Sequence, residues 1–158
     1  MSSDSLILQV ENDADDVFIT RRAFKKAGIT NRIASVENGE EAIAYLFGKD
    51  RFSNRDDYPL PSVILLDWNM PLMSGSEFLR WLRAQSGMRR IPVVVLTSSD
   101  NENDMIQAYE LGSNGFLVKP PSLEDFQALA TAFAAYWLGW NRSDFNCAKK
   151  DSRSNPAL

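Results

Sequence analysis

Short runs of apolar residues alternate along this chain with segments whose apolar positions recur every three or four residues. Leu6 to Val10, Ile33 to Val36, Ser62 to Leu66, Ile91 to Leu96 and Phe116 to Val118 read as strands. Residues from about Ala14 to Ala27, Glu40 to Phe47, Ser74 to Ala84 and Glu102 to Leu111 have helical spacing, and a last helix begins near Ser122. Ser-Val-Ile-Leu-Leu before Asp67 and Ile-Pro-Val-Val-Val-Leu before Thr97 are continuous apolar runs, the pattern of strands buried on both faces. Strands alternating with helices in this way predict an α/β fold, a doubly wound parallel sheet of five strands with helices on both faces.

The punctuation agrees with that reading. Gly28, Gly48 and Gly112 stand where a glycine ends a helix. Asn38-Gly39 reads as a turn, Ser98-Ser99-Asp100 as the cap of the fourth helix, and Ser122 with Asp125 as an acidic variant of the capping box. Lys49 to Pro61 is polar and long for a compact domain, an inserted surface loop that is either functional or mobile. The last helix carries two apolar stripes. Leu123, Phe126, Ala130, Phe133 and Trp137 suit the sheet, while Ala128, Ala132, Ala135, Tyr136 and Trp140 have no partner in one sheet face and call for another cover. Residues 1–140 thus form one domain, with the loop at about 49–61, and residues 141–158 a polar tail that joins a dimer arm or remains loose.

Composition narrows the function. Lys and Arg number 17 against 21 Asp and Glu, a formal charge of −4, so no broad basic field exists to neutralise nucleic-acid phosphates. Cys147 is the only cysteine and histidine is absent, which removes an internal disulfide, Ser-His-Asp triads and zinc sites built on histidine. The polar start and the short run that follows it suit neither a signal segment nor a membrane span. A cytoplasmic protein is expected.

In an open α/β sheet, ligands bind beyond the carboxyl ends of the strands. Those ends carry Glu11, Asn12 and Asp13, then Asp67, Thr97 and Lys119. A carboxylate, a hydroxyl and an ammonium on one edge suit an anion beside a hard cation such as Mg²⁺. In these residues the chain resembles the receiver domains of two-component response regulators. The matching pieces are Val10-Glu11-Asn12, Leu66-Asp67-Trp68-Asn69-Met70-Pro71 with Gly75 following, Val95-Leu96-Thr97-Ser98, and Gly115-Phe116-Leu117-Val118-Lys119-Pro120. They occur in order at four strand ends.

The resemblance implies a (βα)5 fold of flavodoxin-like strand order 2-1-3-4-5, with Asp67 as the acceptor of a phosphoryl group from a sensor histidine kinase. It implies that Lys119 pairs with an oxygen of Asp67 or of the phosphate and that Thr97 binds a phosphoryl oxygen. Glu11, Asn12, Asp67 and the main-chain carbonyl of Asn69 would hold Mg²⁺, and Phe116 would share the switch with Thr97. Lys119-Pro120 matches a peptide often cis in the family. One departure stands out: relatives have two acidic residues after the first strand and the second is a metal ligand, whereas here it is Asn12, which brings no charge. Asp13 would compensate if the loop shifts by one position.

The Lys49 to Pro61 loop and Tyr136-Trp137-Leu138-Gly139-Trp140 resemble the small regulators that accompany bacterial phytochromes, which implies a bacteriophytochrome kinase as partner and a homodimer through the last helix. With no effector segment after the receiver, output is expected through protein contacts. Two other readings stand beside a phosphoaccepting regulator. Asn12 favours a pseudo-receiver, a binding module that takes no phosphate. An aspartate-nucleophile phosphatase would need a second Asp two residues after Asp67, where the chain has Asn69.

Overall fold

The computed structural model describes residues 5–144, so Cys147 and most of the polar tail lie outside the described residues. Five strands, β1 (Ile7–Val10), β2 (Ile33–Val36), β3 (Val63–Leu66), β4 (Val93–Thr97) and β5 (Gly115–Val118), form one parallel sheet of order β2-β1-β3-β4-β5. Alternation of side chains along each strand divides the interior in two. Leu8, Val10, Ile64, Leu66, Val93 and Val95 face α2 (Gly39–Phe47), α3 (Gly75–Arg83) and α4 (Glu102–Glu110). Ile7, Val63, Leu65, Val94 and Leu96 face α1 (Ala14–Lys26) and α5 (Leu123–Phe133). The central strands β1, β3 and β4 are buried throughout, as their largely apolar runs require. Gln9 of β1 is a polar side chain buried in this interior, and among the described residues its Oε1 has no hydrogen-bond partner.

Element boundaries follow the caps. Asp13 caps α1, accepting from the backbone N–H groups of Asp15 and Asp16. Gly28 and Gly48 take the left-handed conformation after α1 and α2, with φ of 79° and 65°. Two local expectations are corrected. Asn38 is the cap of α2, accepting from the Glu41 N–H, and α2 begins at Gly39, so Asn38-Gly39 is no free turn. The cap of α4 is Asn101, not Ser98-Ser99-Asp100, while the Ser99 hydroxyl donates to the Asp104 carboxylate at 2.7 Å. Ser122 caps α5 through the Asp125 N–H.

The loop between α2 and β3 is packed onto the domain. It opens with a single 3₁₀ turn, Asp50–Phe52. Phe52 is buried against Tyr45, and Tyr58 closes an aromatic triangle with centroids 5.1 to 6.0 Å apart. Arg55 donates to the carbonyls of Tyr45, Leu46 and Tyr58, satisfying acceptors that the end of α2 leaves open. The Tyr45 hydroxyl donates to the Pro59 carbonyl, and burial pushes its pKa up to about 12.

After Phe133 the last helix widens into a π-helical stretch, Ala134–Trp140. The wider winding rotates the downstream residues, so Ala134 and Leu138 enter the core while Trp137 stays half-buried. The second apolar stripe, Ala128, Ala132, Ala135, Tyr136 and Trp140, is exposed, Trp140 at 85%.

Candidate phosphoacceptor site at the carboxyl edge of the sheet

Parallel register brings the candidate residues to one edge. The N–H of Asp67 donates to the carbonyl of Val10, which fixes the end of β3 beside the loop that follows β1. The N–H of Lys119 donates to the carbonyl of Thr97 at 2.8 Å, joining the ends of β5 and β4. Asp67 and Thr97 are buried at 8% and 1% exposure, and Glu11 at 3%. An ionisable edge this dry makes every charge pairing consequential.

Gly75 permits the close fit of α3 against this edge. Its N–H donates to the carbonyl of Trp68, and a Cβ there would lie 2.6 Å from the carbonyl oxygen of Asp67 and 2.8 Å from Cα of Trp68. No residue other than glycine leaves that backbone undisturbed.

Lys119 is the electrostatic hub. Its Nζ donates to Oε2 of Glu11 at 2.5 Å and to Oδ2 of Asp16 at 2.9 Å, while Oδ2 of Asp67 lies 4.0 Å away. The direct pairing of Lys119 with Asp67 that the resemblance implies is thus a longer charge contact, and the hydrogen bonds go to two other carboxylates. Asp67 Oδ1 accepts a long hydrogen bond, 3.4 Å, from the N–H of Asn69. One ammonium serves three carboxylates. Burial therefore pushes the Glu11 carboxyl up to about 7 against the pull of its Lys119 hydrogen bond, and the charge of Asp67 pushes it the same way. Burial pulls the Lys119 ammonium down, yet the hydrogen bonds to Glu11 and Asp16 and the charges around it leave it raised overall.

The remaining candidates fall as follows. Oγ1 of Thr97 accepts from the N–H of Ser99 at 3.3 Å. Phe116 is half-buried against the α2–α3–α4 core. Asn12 is exposed. Asp13 spends its carboxylate on the N-terminus of α1, and its own N–H is taken by Oε1 of Glu11 at 3.1 Å, so it does not stand in for Asn12. Among the described residues no three Asp, Glu, Cys or His side chains converge as a metal cluster. The Lys119–Pro120 peptide is trans, in contrast to the cis form often found at the matching position. Asp16, which sequence reasoning missed, was discoverable from its place three residues after the cap Asp13, on the side of α1 that meets the β1 loop. Beside the site, a groove of about 370 Å³ runs between α1 and the start of α5, lined by Asp16, Phe18, Ile19, Lys119 and Pro120 among others.

Sequence and fold place the chain among known proteins. The family model of the response regulator receiver domain matches residues 7–131, and the chain belongs to that family. It is 38% identical over 138 residues to a Methanothrix harundinacea protein named probable methanogenesis regulatory protein FilR2, covering 87% of this chain and 86% of the relative. It is 35% identical over 133 residues to response regulator Rcp1 of Synechocystis, covering 84% and 88%. The solved Mn²⁺-bound form of Rcp1 superposes with a TM-score of 0.76 at 32% identity, over 88% of this chain and 98% of that one. Response regulator RPA3017, solved in the context of red light signaling of R. palustris, superposes with a TM-score of 0.84 at 30% identity, over 88% and 97%. This is a two-component receiver whose relatives include phytochrome-associated regulators.

Proposed function

We propose that the protein accepts a phosphoryl group on Asp67 from a sensor histidine kinase and signals by a change of packing. The observation that carries this reading is the buried Asp67 carboxylate with the Lys119 ammonium 4.0 Å from one of its oxygens. In the transfer, a carboxylate oxygen of Asp67 attacks the phosphorus of the kinase phosphohistidine in line. The P–O bond forms as the P–N bond breaks, and the imidazole leaves with the bonding pair. Lys119 neutralises charge gathering on the phosphoryl oxygens, and the Thr97 hydroxyl donates to one of them.

Glu11, Asp67, the carbonyl of Asn69 and the amide oxygen of Asn12 would offer an all-oxygen set that suits Mg²⁺; burial first, and then the charge of Asp67, push the Glu11 pKa up. When bound, the cation supplies charge neutralisation to the phosphoryl oxygens. The Mn²⁺-bound form of Rcp1 supports the assignment. Asn12 lowers the charge of the set, which sustains a second reading, a pseudo-receiver that binds partners without taking phosphate.

Phosphorylation adds about 1.5 to 2 negative charges at Asp67. Movement of Thr97 toward the new oxygens opens space under α4, Phe116 turns inward, and the surface of α4, β5 and α5 changes partners by population shift. Relatives named for phytochrome and red-light signalling support a bacteriophytochrome-type kinase as the partner, and the protein acts with it in the cytoplasm. The exposed stripe with Tyr136 and Trp140 supports a homodimer through the last helix. No helix among the described residues is long and apolar enough to cross a membrane.

The test is incubation with acetyl phosphate and Mg²⁺ against an Asp67→Asn control. Stable, Asp67-dependent labelling supports the regulator, no labelling supports the pseudo-receiver, and rapid turnover of many phosphate esters supports a hydrolase. Fluoroberyllate that leaves the resonances of Thr97 and Phe116 unmoved overturns the proposed switch.

A further inference from the structure

Asp16 stands at the third position of α1, where an acidic side chain ordinarily reaches back to the N–H of the cap residue. Here that N–H, on Asp13, donates to Oε1 of Glu11 at 3.1 Å. The Asp16 carboxylate is thereby released from capping, and its Oδ2 accepts from Lys119 at 2.9 Å. Its backbone is held on both sides. Its N–H reaches the Asp13 carboxylate, and its carbonyl accepts from the buried hydroxyl of Thr20 at 2.8 Å. The carboxylate is thus presented by a fixed first turn to an ammonium whose side chain is only 7% exposed.

We propose that Asp16 is a positioning residue for Lys119: it holds the ammonium off Asp67 in the unphosphorylated protein and competes with the phosphoryl group for it. This inference rests on the phosphoacceptor reading of Asp67. Lys119 has hydrogen bonds to Glu11 and Asp16 and none to Asp67. To serve a phosphoryl group it must give up at least part of that pairing. Breaking the Asp16 contact releases its carboxylate toward the groove that Asp16 lines together with Phe18 and Ile19. Occupancy of the acceptor is in this way transmitted to α1, on the opposite face of the sheet from α4.

The experiment compares the wild type with Asp16→Asn and Asp16→Glu in the full chain. Asp16→Asn keeps size and an acceptor oxygen but removes one charge from a pocket about to receive a dianion, so labelling of Asp67 by acetyl phosphate accelerates about tenfold. Asp16→Glu restores the charge and a rate within about twofold of wild type. A slower or unchanged rate in Asp16→Asn overturns the competition. A second readout needs no phosphorylation: the ¹⁵N ammonium resonance of Lys119, assigned by its loss in Lys119→Arg, shifts in Asp16→Asn and returns in Asp16→Glu. An unmoved resonance overturns the Asp16 contact itself. If neither wild type nor variant is labelled while the resonance moves, the phosphoacceptor reading has failed and the contact has survived.

Discussion

Replacing Gly75 by alanine tests how tightly the third helix is fitted against the acceptor. An added Cβ would meet the Asp67 carbonyl oxygen at 2.6 Å, Cα of Trp68 at 2.8 Å and the Trp68 ring at 3.0 Å. Two of these neighbours are backbone and the third is a ring 4% exposed, so none swings aside. Overpacking of this kind costs about 1 to 3 kcal/mol. The better helix propensity of alanine offsets at most about 1 kcal/mol. A net loss of roughly 0 to 3 kcal/mol, about 1.5 at its middle, lowers the melting temperature of a domain this size by several degrees, at roughly 2 to 4 °C per kcal/mol. Relief of the clash also drags the end of β3, and displacement of a reacting group by about 1 Å can reduce a rate a hundredfold. Urea unfolding followed by tryptophan fluorescence and acetyl-phosphate labelling measure the two effects. Gly87→Ala is the control, since nothing lies within 4 Å of its added Cβ. If Gly75→Ala unfolds with the control and labels like wild type, the close approach does not constrain the site.

Three further outcomes are expected. Glu11 has a folded pKa of about 7 against an ordinary 4.5, so it binds its proton more tightly when folded. Its contribution is present in full below pH 4.5 and is lost as pH rises through about 7, by up to about 3 kcal/mol. In EDTA, the stability of wild type minus Glu11→Gln should fall across that window, and a flat difference refutes the assignment. Phe52→Ala opens the aromatic triangle and costs about 3 kcal/mol in urea unfolding; a change below about 1 kcal/mol would mean the loop is not packed in solution. Tyr136→Ser with Trp140→Ser should convert a dimer to a monomer in sedimentation. Substitution is the sound choice because truncation at Ala135 would also remove Leu138, which is 6% exposed and part of the core. A monomeric wild type would refute the arm interface.

The architecture was legible because its signals are one-dimensional. Five apolar runs and the glycines after α1, α2 and α4 follow from burial and backbone sterics that act locally, and strand order came with the resemblance. What escaped depends on direction. That Lys119 stands at the end of β5 could be read along the chain, but its choice of Glu11 and Asp16 over Asp67 depends on how α1 enters the edge. Likewise Asn38 and Asn101 look like turn residues until the first N–H groups of α2 and α4 are seen to need acceptors. Helical periodicity assumed one winding to the end of the last helix, so Trp137 was assigned the place that the π stretch hands to Leu138. The loop from Lys49 to Pro61 looked merely polar because its anchoring comes from Phe52, Tyr58 and Arg55, scattered among charged residues and meeting Tyr45 and the end of α2.

Gln9 points to a different property of the molecule. Among the described residues no protein group donates to this amide oxygen inside the first strand; a buried acceptor left without a donor costs about 1 to 3 kcal/mol, a sizeable share of the marginal stability typical of such domains. Methionine has nearly the same length and needs no donor, so Gln9→Met offers protein engineers a sturdier scaffold without touching the carboxyl edge of the sheet. The native chain leaves that reserve unused.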